Sequence, residues 1–147
     1  TFLKYPPLLT AWLIIPQMTA RIRHTALASL LLVLMTAACD SPTAAQYFDR
    51  AHENVVAGES EKAILDYTKA IRLDPQFVDA YLYRGNLFYW LGMNERAIQD
   101  WSEVIRLDPQ IAMPYNNRGR AYEELGQQAK ADADYKRACE LDSKYCE

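Results

Sequence analysis

The sequence predicts an all-α fold of three stacked helical hairpins, a short right-handed α-solenoid, and three observations carry that expectation. The first is a fixed interval of 34 residues, which separates Pro75 from Pro109 and spaces Ala63, Ala97 and Ala131. The second is that large aromatics keep the same step, at Tyr67, Trp101 and Tyr135. The third is that Gly58, Gly92 and Gly126 stay in register, as do Leu73-Asp74, Leu107-Asp108 and Leu141-Asp142. Small residues, aromatics and a turn glycine at one period mark helix pairs that bury their apolar faces only by stacking. A chain of this kind presents a surface, so the expected function is binding and not catalysis.

The middle unit shows why each column is occupied as it is. Its first helix is expected over about Asp79 to Leu91 and its second over about Asn94 to Leu107. Gly92 stands where the first helix must stop, because glycine takes the left-handed conformation at little cost. Asn94 is expected to cap the second helix through its side chain. Pro109 ends that helix and pushes Asp108 towards extended geometry. Gly85 and Ala97 are small enough for the helices to approach closely, while Tyr81, Phe88 and Trp101 fill the space around the contact.

The third unit breaks the pattern. Ile64 and Ile98 share a column whose last member is Asp132, and Ile71 and Ile105 share one ending in Cys139. Ser143 replaces the proline of the other units. The isoleucines are expected to pack on the following unit, so Asp132 predicts a solvent-facing last helix with no fourth unit after it.

These columns resemble the tetratricopeptide repeat family over roughly Ala44 to Tyr145. The match rests on Tyr81, Arg84-Gly85, Phe88, Leu91-Gly92, Ala97, Trp101, Val104 and Leu107-Asp108-Pro109 in the middle unit. It continues with Tyr115, Gly119, Tyr122, Leu125-Gly126, Ala131, Tyr135 and Ala138 in the third. The first unit is weaker, with Tyr47, Ala51 and Asn54 in those columns. The resemblance implies repeats at 44–77, 78–111 and 112–145 within a domain at 44–147. It also implies a ligand in a concave groove lined by the first helices. In this register the groove draws on Phe48, Asp49 and His52, then on Leu82, Tyr83, Asn86, Tyr89 and Trp90. Its last section takes Asn116, Asn117, Arg120, Glu123 and Glu124. The apolar middle section suits an extended peptide or partner helix. Some members of the family carry a basic clamp for a C-terminal carboxylate. Here Arg120 with Asn116 or Asn117 offers fragments of it and Glu123 and Glu124 oppose, so that activity is not expected.

Residues before Ala44 fall outside the repeat. Arg21, Arg23 and His24 precede the apolar run at 26–35 and the small residues Thr36-Ala37-Ala38, followed by Cys39. A positive segment, a short apolar run and a small-residue cleavage site describe a secretory signal peptide at 18–38. The apolar run is shorter than the roughly 20 residues that span a bilayer. Cys39 after two alanines resembles a bacterial lipoprotein signal, which implies lipidation of Cys39, a tether at 39–43 and anchoring to a membrane. Thr36 departs from that pattern, and an ordinary cleaved signal or an uncleaved anchor are the other readings. Residues 1–17 read as an over-extended start or an unstructured lead. In the lipoprotein reading, Asp40 implies retention at the inner membrane, with the domain in the periplasm or on the outer face. A soluble periplasmic protein is the alternative.

Lys4, Arg21 and Arg23 are the only charged residues before Cys39. Removing that stretch takes three of 16 basic residues and none of 19 acidic ones, moving the formal charge from −3 to −6. An acidic domain argues against nucleic acid, whose phosphates call for basic patches. Cys139 and Cys146 lie seven steps apart, about 10.5 Å along a continuous helix and too far for a disulfide. A helix ending near Leu141-Asp142 would let the tail fold back and the pair close. The pair resembles that of cysteine-rich relatives of these repeats, in which two cysteines tie a hairpin. Two buried or reduced thiols are the alternative. No metal site is expected, since His52 is the only histidine beyond the signal and no third ligand lies near the cysteines. No catalytic constellation and no phosphate-binding glycine loop are present, so no enzyme activity and no cofactor are expected. The expected partner is a protein or peptide, in envelope assembly, secretion or cell-wall processes, with the membrane reached through lipid. The alternative is a scaffold that associates with its own copies through the terminal faces.

Overall fold

The computed structural model describes residues 41–146, and six α-helices follow one another with no strand among them. They are α1 (Ala44–Val56), α2 (Ser60–Leu73), α3 (Val78–Trp90), α4 (Asn94–Leu107), α5 (Ala112–Glu124) and α6 (Gln128–Leu141). A short 3-10 turn, Ser143–Tyr145, completes the described chain. The expectations for the signal peptide and for Cys39 fall on residues outside the described ones. Helices pair within each hairpin, and the second helix of one hairpin packs on the first helix of the next.

Local chemistry sets the helix ends. Thr43 and Gln46 form a reciprocal capping box at α1: the Thr43 hydroxyl accepts from the Gln46 amide, and the Gln46 side chain accepts from the Thr43 amide at 2.8 Å. Gly92 has φ 73°, the left-handed turn expected of it. The Met93 N–H then returns to the Phe88 carbonyl at 2.9 Å. Asn94 is a correction. It is the first residue of α4, the cap position belongs to Met93, and no side-chain bond caps the helix. The three-residue turn brings the helix in one position early, and Asn94 faces a hollow instead.

The second helices each end at an aspartate. Asp74, Asp108 and Asp142 all have extended backbones. Each carboxylate accepts from the N–H two residues on, at 3.0, 3.0 and 3.1 Å. Asp142 precedes a serine yet behaves as the other two do, so the aspartate bond accompanies the helix end with or without a following proline.

Packing follows the small-residue columns. Ala51, Ala63, Ala97 and Ala131 have no exposed surface. A β-carbon at Gly85 would lie 2.9 Å from Trp101 Nε1 and 3.2 Å from Asp100 Cβ, and one at Gly119 would lie 2.8 Å from the Tyr135 ring. The glycines therefore admit the aromatics of the second helices. Trp101 is 1% exposed as a result, and in the first hairpin Tyr67, packed with Ala51 and Ala63, is 1% exposed too. Burying one such aromatic contributes about 4 to 6 kcal/mol gross of its ordering cost. Ile64 and Ile98 join the cluster formed by Leu82, Phe88, Ala97, Trp101, Val104 and Ala121.

A ladder of ion pairs runs through the same layer. Arg50, Arg84 and Arg118 each grip an aspartate 16 residues on, Asp66, Asp100 and Asp134, through two nitrogens at 2.6–2.8 Å. Arg84 also donates to Thr68 and Arg118 to Ser102, both at 2.9 Å, across the hairpin boundary. Those hydroxyls donate in turn to the Ile64 and Ile98 carbonyls. Hydrogen bonds from Arg50 hold Asp66 below the ordinary carboxylate range. Burial pushes Asp100 upward against the pull of Arg84. Such pairs specify register more than they add net stability.

The two end faces are polar. Gln46 and Glu53 are exposed on α1, where α3 and α5 place Ala80 and Leu87 or Pro114 and Ala121 against the preceding hairpin. On α6, Asp132 and Lys136 are exposed at the positions of Ile98 and Ser102.

Gly85→Ala should destabilise the domain by about 1 to 2 kcal/mol. Overpacking against a buried tryptophan costs about 1 to 3 kcal/mol, and the helix preference for alanine returns at most about 1 kcal/mol. Urea unfolding measures it, and an unchanged or raised midpoint would contradict the close-packing account.

Candidate functional site

Along the first helices, each second-helix aromatic turns a polar atom towards a residue of the expected groove. Trp101 Nε1 donates to Asn86 Oδ1 at 3.1 Å, and Asn117 Nδ2 donates to the same oxygen at 3.1 Å. An indole only donates, so the carbonyl end of the Asn86 amide must face it. Among the described residues Nδ2 has no protein partner, which leaves two donors for a ligand.

One repeat earlier the same positions hold His52, Tyr67 and Tyr83. The Tyr67 hydroxyl lies 3.2 Å from His52 Nδ1, which also lies 3.1 Å from the Phe48 carbonyl oxygen. A carbonyl only accepts, so a bond between these two atoms is one that Nδ1–H donates. The Tyr83 ring sits 4.5 Å from His52 and Phe48 sits 4.4 Å from it. Phe48 further meets Tyr67, Phe77 and Tyr83 within 5.8 Å. Burial pushes the Tyr67 phenol up to about 12, so it stays protonated at neutral pH.

In the third repeat the corresponding aromatic, Tyr135, donates to Glu123 at 2.8 Å. Burial and that bond push its phenol up to about 12 as well. The Arg120 guanidinium lies over the Tyr89 ring at 5.4 Å, and Tyr89 lies 5.8 Å from Trp101. Glu124 is exposed.

Two hollows open between these side chains. One, of about 530 Å³, lies between the second and third hairpins and is lined by Asn86, Tyr89, Asn94, Asn117, Arg120 and Glu124, with Trp90 and Trp101 at its sides. The other, of about 470 Å³, lies between the first and second hairpins and includes His52, Tyr83, Asn86, Leu87 and Trp90. Asn86 and Trp90 belong to both, and Trp90 is 87% exposed.

The expected groove residues are therefore not equivalent. His52, Tyr83, Asn86, Tyr89, Trp90, Asn117 and Arg120 surround the hollows. Leu82 is buried in the central cluster and supplies packing in place of ligand contact. Phe48 is half-buried and braces the aromatic wall, Asn116 is half-buried and lines neither hollow, and Asp49 is exposed. The positions missed from sequence are the orienting ones: Tyr67 and Trp101 read there as core aromatics, although their 15-residue offset from His52 and Asn86 repeats. The arginine and aspartate columns were visible at the same period, but a charged residue looks solvent-facing until its partner is placed.

At the far end, Cys139 of α6 and Cys146 beyond the 3-10 turn are joined by a disulfide, their Cα atoms 4.6 Å apart. The helix stops at Leu141, so the tail turns back to reach the bond. Among the described residues no three His, Cys, Asp or Glu side chains converge as a metal site, and no helix is long and apolar enough to cross a membrane.

A family model described as "TPR repeat" matches residues 56–92 and 85–126, and one described as "Tetratricopeptide repeat" matches residues 114–145. Among solved structures, the chain is similar to the crystal structure of MamA, with 28% identity and a TM-score of 0.67 over 71% of this chain and 61% of that one. It is similar to the first TPR of Spaghetti (RPAP3) bound to the HSP90 peptide SRMEEVD, at 26% identity and a TM-score of 0.66, over 71% and 82% of the two chains. It is also similar to the Arabidopsis OM64 TPR domain, at 25% identity and a TM-score of 0.66, over 69% and 84%. The chain thus spans less than two thirds of the MamA structure's length. No curated protein matches it.

Replacing both Cys139 and Cys146 with serine should lower stability by about 2 to 3 kcal/mol, the chain-entropy value for so short a loop. Denaturant titration without reductant reads this, and equal midpoints for the two proteins would contradict a stabilising bond.

Proposed function

The chain belongs to the tetratricopeptide repeat family, and we propose that it is a non-catalytic protein-interaction module that holds an extended peptide or partner helix along its first helices. The observation that carries this reading is the Asn86 amide. Its oxygen is committed to Trp101 and Asn117, so its two donors are aimed before a ligand arrives, which lowers the ordering cost of binding. A peptide carbonyl is the partner such donors fit, whatever the sequence around it. Trp90 and Arg120 beside it are exposed, which gives a ligand apolar area and a charge to cover.

A related TPR domain carries the acidic peptide SRMEEVD. Here Glu123 and Glu124 stand beside the single Arg120, a setting that disfavours so acidic a ligand. Self-association through the terminal faces is the weaker reading, because Gln46, Glu53, Asp132 and Lys136 replace the residues that stack inside the domain. The proposal extends to the cell envelope. The run at 26–35 and Cys39 support an exported protein held at a membrane by lipid, working in envelope assembly, secretion or cell-wall processes.

A photo-crosslinking aromatic at position 90 should capture one discrete partner in cells. Alanine at Tyr83, Asn86 and Tyr89 together should abolish capture while circular dichroism stays helical. Capture that survives the triple variant would place the ligand elsewhere. Cys39→Ser should move the protein from the membrane fraction to the soluble one, and unchanged retention would point to an uncleaved anchor.

A further inference from the structure

We infer that the hollow between the first and second hairpins takes one uncharged, bulky apolar side chain, of phenylalanine or leucine type, from the segment held along the first helices. This rests on the groove reading and adds the chemistry of the ligand. Nine large apolar side chains are left exposed among the described residues, and four of them, Val55, Tyr83, Trp90 and Leu91, line this one hollow. Exposed apolar surface concentrated in a concavity marks a binding site, whereas scattered residues do not.

Charge separates the two hollows. Arg120 and Glu124 line the one between the second and third hairpins. Among the described residues no acidic residue, lysine or arginine lines the other, whose polar groups are His52, Ser60, the two tyrosine hydroxyls and Asn86. A charged side chain entering it would lose hydration with no counter-charge, whereas an apolar one gains from every wall. Its volume of about 470 Å³ admits a phenyl or isobutyl group with room for the backbone that carries it. The walls are set in advance, since Tyr83 and His52 are 4.5 Å apart and Phe48 and Tyr67 brace them from behind. Asn86 stands on the boundary of both hollows. A segment that bonds it places one side chain in the apolar hollow and its next polar part towards Arg120 and Glu124.

Titration of the full chain with N-acetyl-phenylalaninamide and N-acetyl-leucinamide, followed by NMR, tests this. Both should shift the Trp90 indole and His52 ring signals saturably, with affinity of about millimolar order. N-acetyl-aspartamide and N-acetyl-lysinamide should leave those signals in place. Trp90→Ala, at an exposed position, and Tyr83→Ala should each weaken the apolar probes by about tenfold. Equal response to charged probes, or unchanged affinity in both variants, would overturn the assignment. Absent probe binding with crosslinking at position 90 retained would overturn the hollow alone. Probe binding with crosslinking lost would keep the hollow and overturn the groove reading.

Discussion

How closely a first helix can approach the aromatic of its own second helix governs much of this molecule. At Gly85 and Gly119 there is no room for a β-carbon, and in the first hairpin Ala51 occupies the same place with no exposed surface. The consequence reaches past packing. With Trp101 pressed against Gly85, its indole nitrogen emerges among the groove residues and fixes the Asn86 amide. In the first hairpin Tyr67 places its hydroxyl 3.2 Å from His52 Nδ1 at the same offset. One steric allowance therefore serves both the core and the site, since the side chain that fills the gap also aims the group a ligand would meet.

The architecture was legible because steric demands recur with the period. Alanine, glycine and aromatic columns report close approach directly, and the helices end at glycines and aspartates that sequence chemistry marks. Asp108 is extended before Pro109 as expected, and Asp142 ends its helix in the same way beside Ser143, with a side-chain bond to the N–H two residues on. Asn94 is a capping residue type, yet the three-residue turn places it inside the helix and leaves the cap position to Met93. The site was half legible. Register gave the residues of the first helices, but not that Leu82 turns into the core or that Asn117 shares the oxygen of Asn86. Those facts depend on the rotation of one hairpin against the next, which a single-chain pattern does not contain.

The ladder of arginine and aspartate pairs bears on that rotation. Arg84 and Arg118 each join their own hairpin's aspartate to a hydroxyl of the preceding hairpin. Bidentate geometry tolerates little rotation, so the ladder restricts how the hairpins turn relative to one another. The equivalence of the Tyr83–His52 and Asn117–Asn86 contacts, each 31 residues apart, follows from that shared register. Between them the groove changes character, from an aromatic wall in the first two hairpins to amides and charges in the third. A ligand with one apolar residue and a polar continuation matches that gradient.

The central claim is that Asn86, held by Trp101, presents its amide donors to the backbone of a bound segment. A crystal structure of the chain with its captured partner segment tests this most directly. A ligand carbonyl should lie within hydrogen-bond distance of Asn86 Nδ2 while Trp101 Nε1 still donates to Asn86 Oδ1. A ligand seated away from the first helices, or an Asn86 amide released from Trp101 on binding, would contradict it.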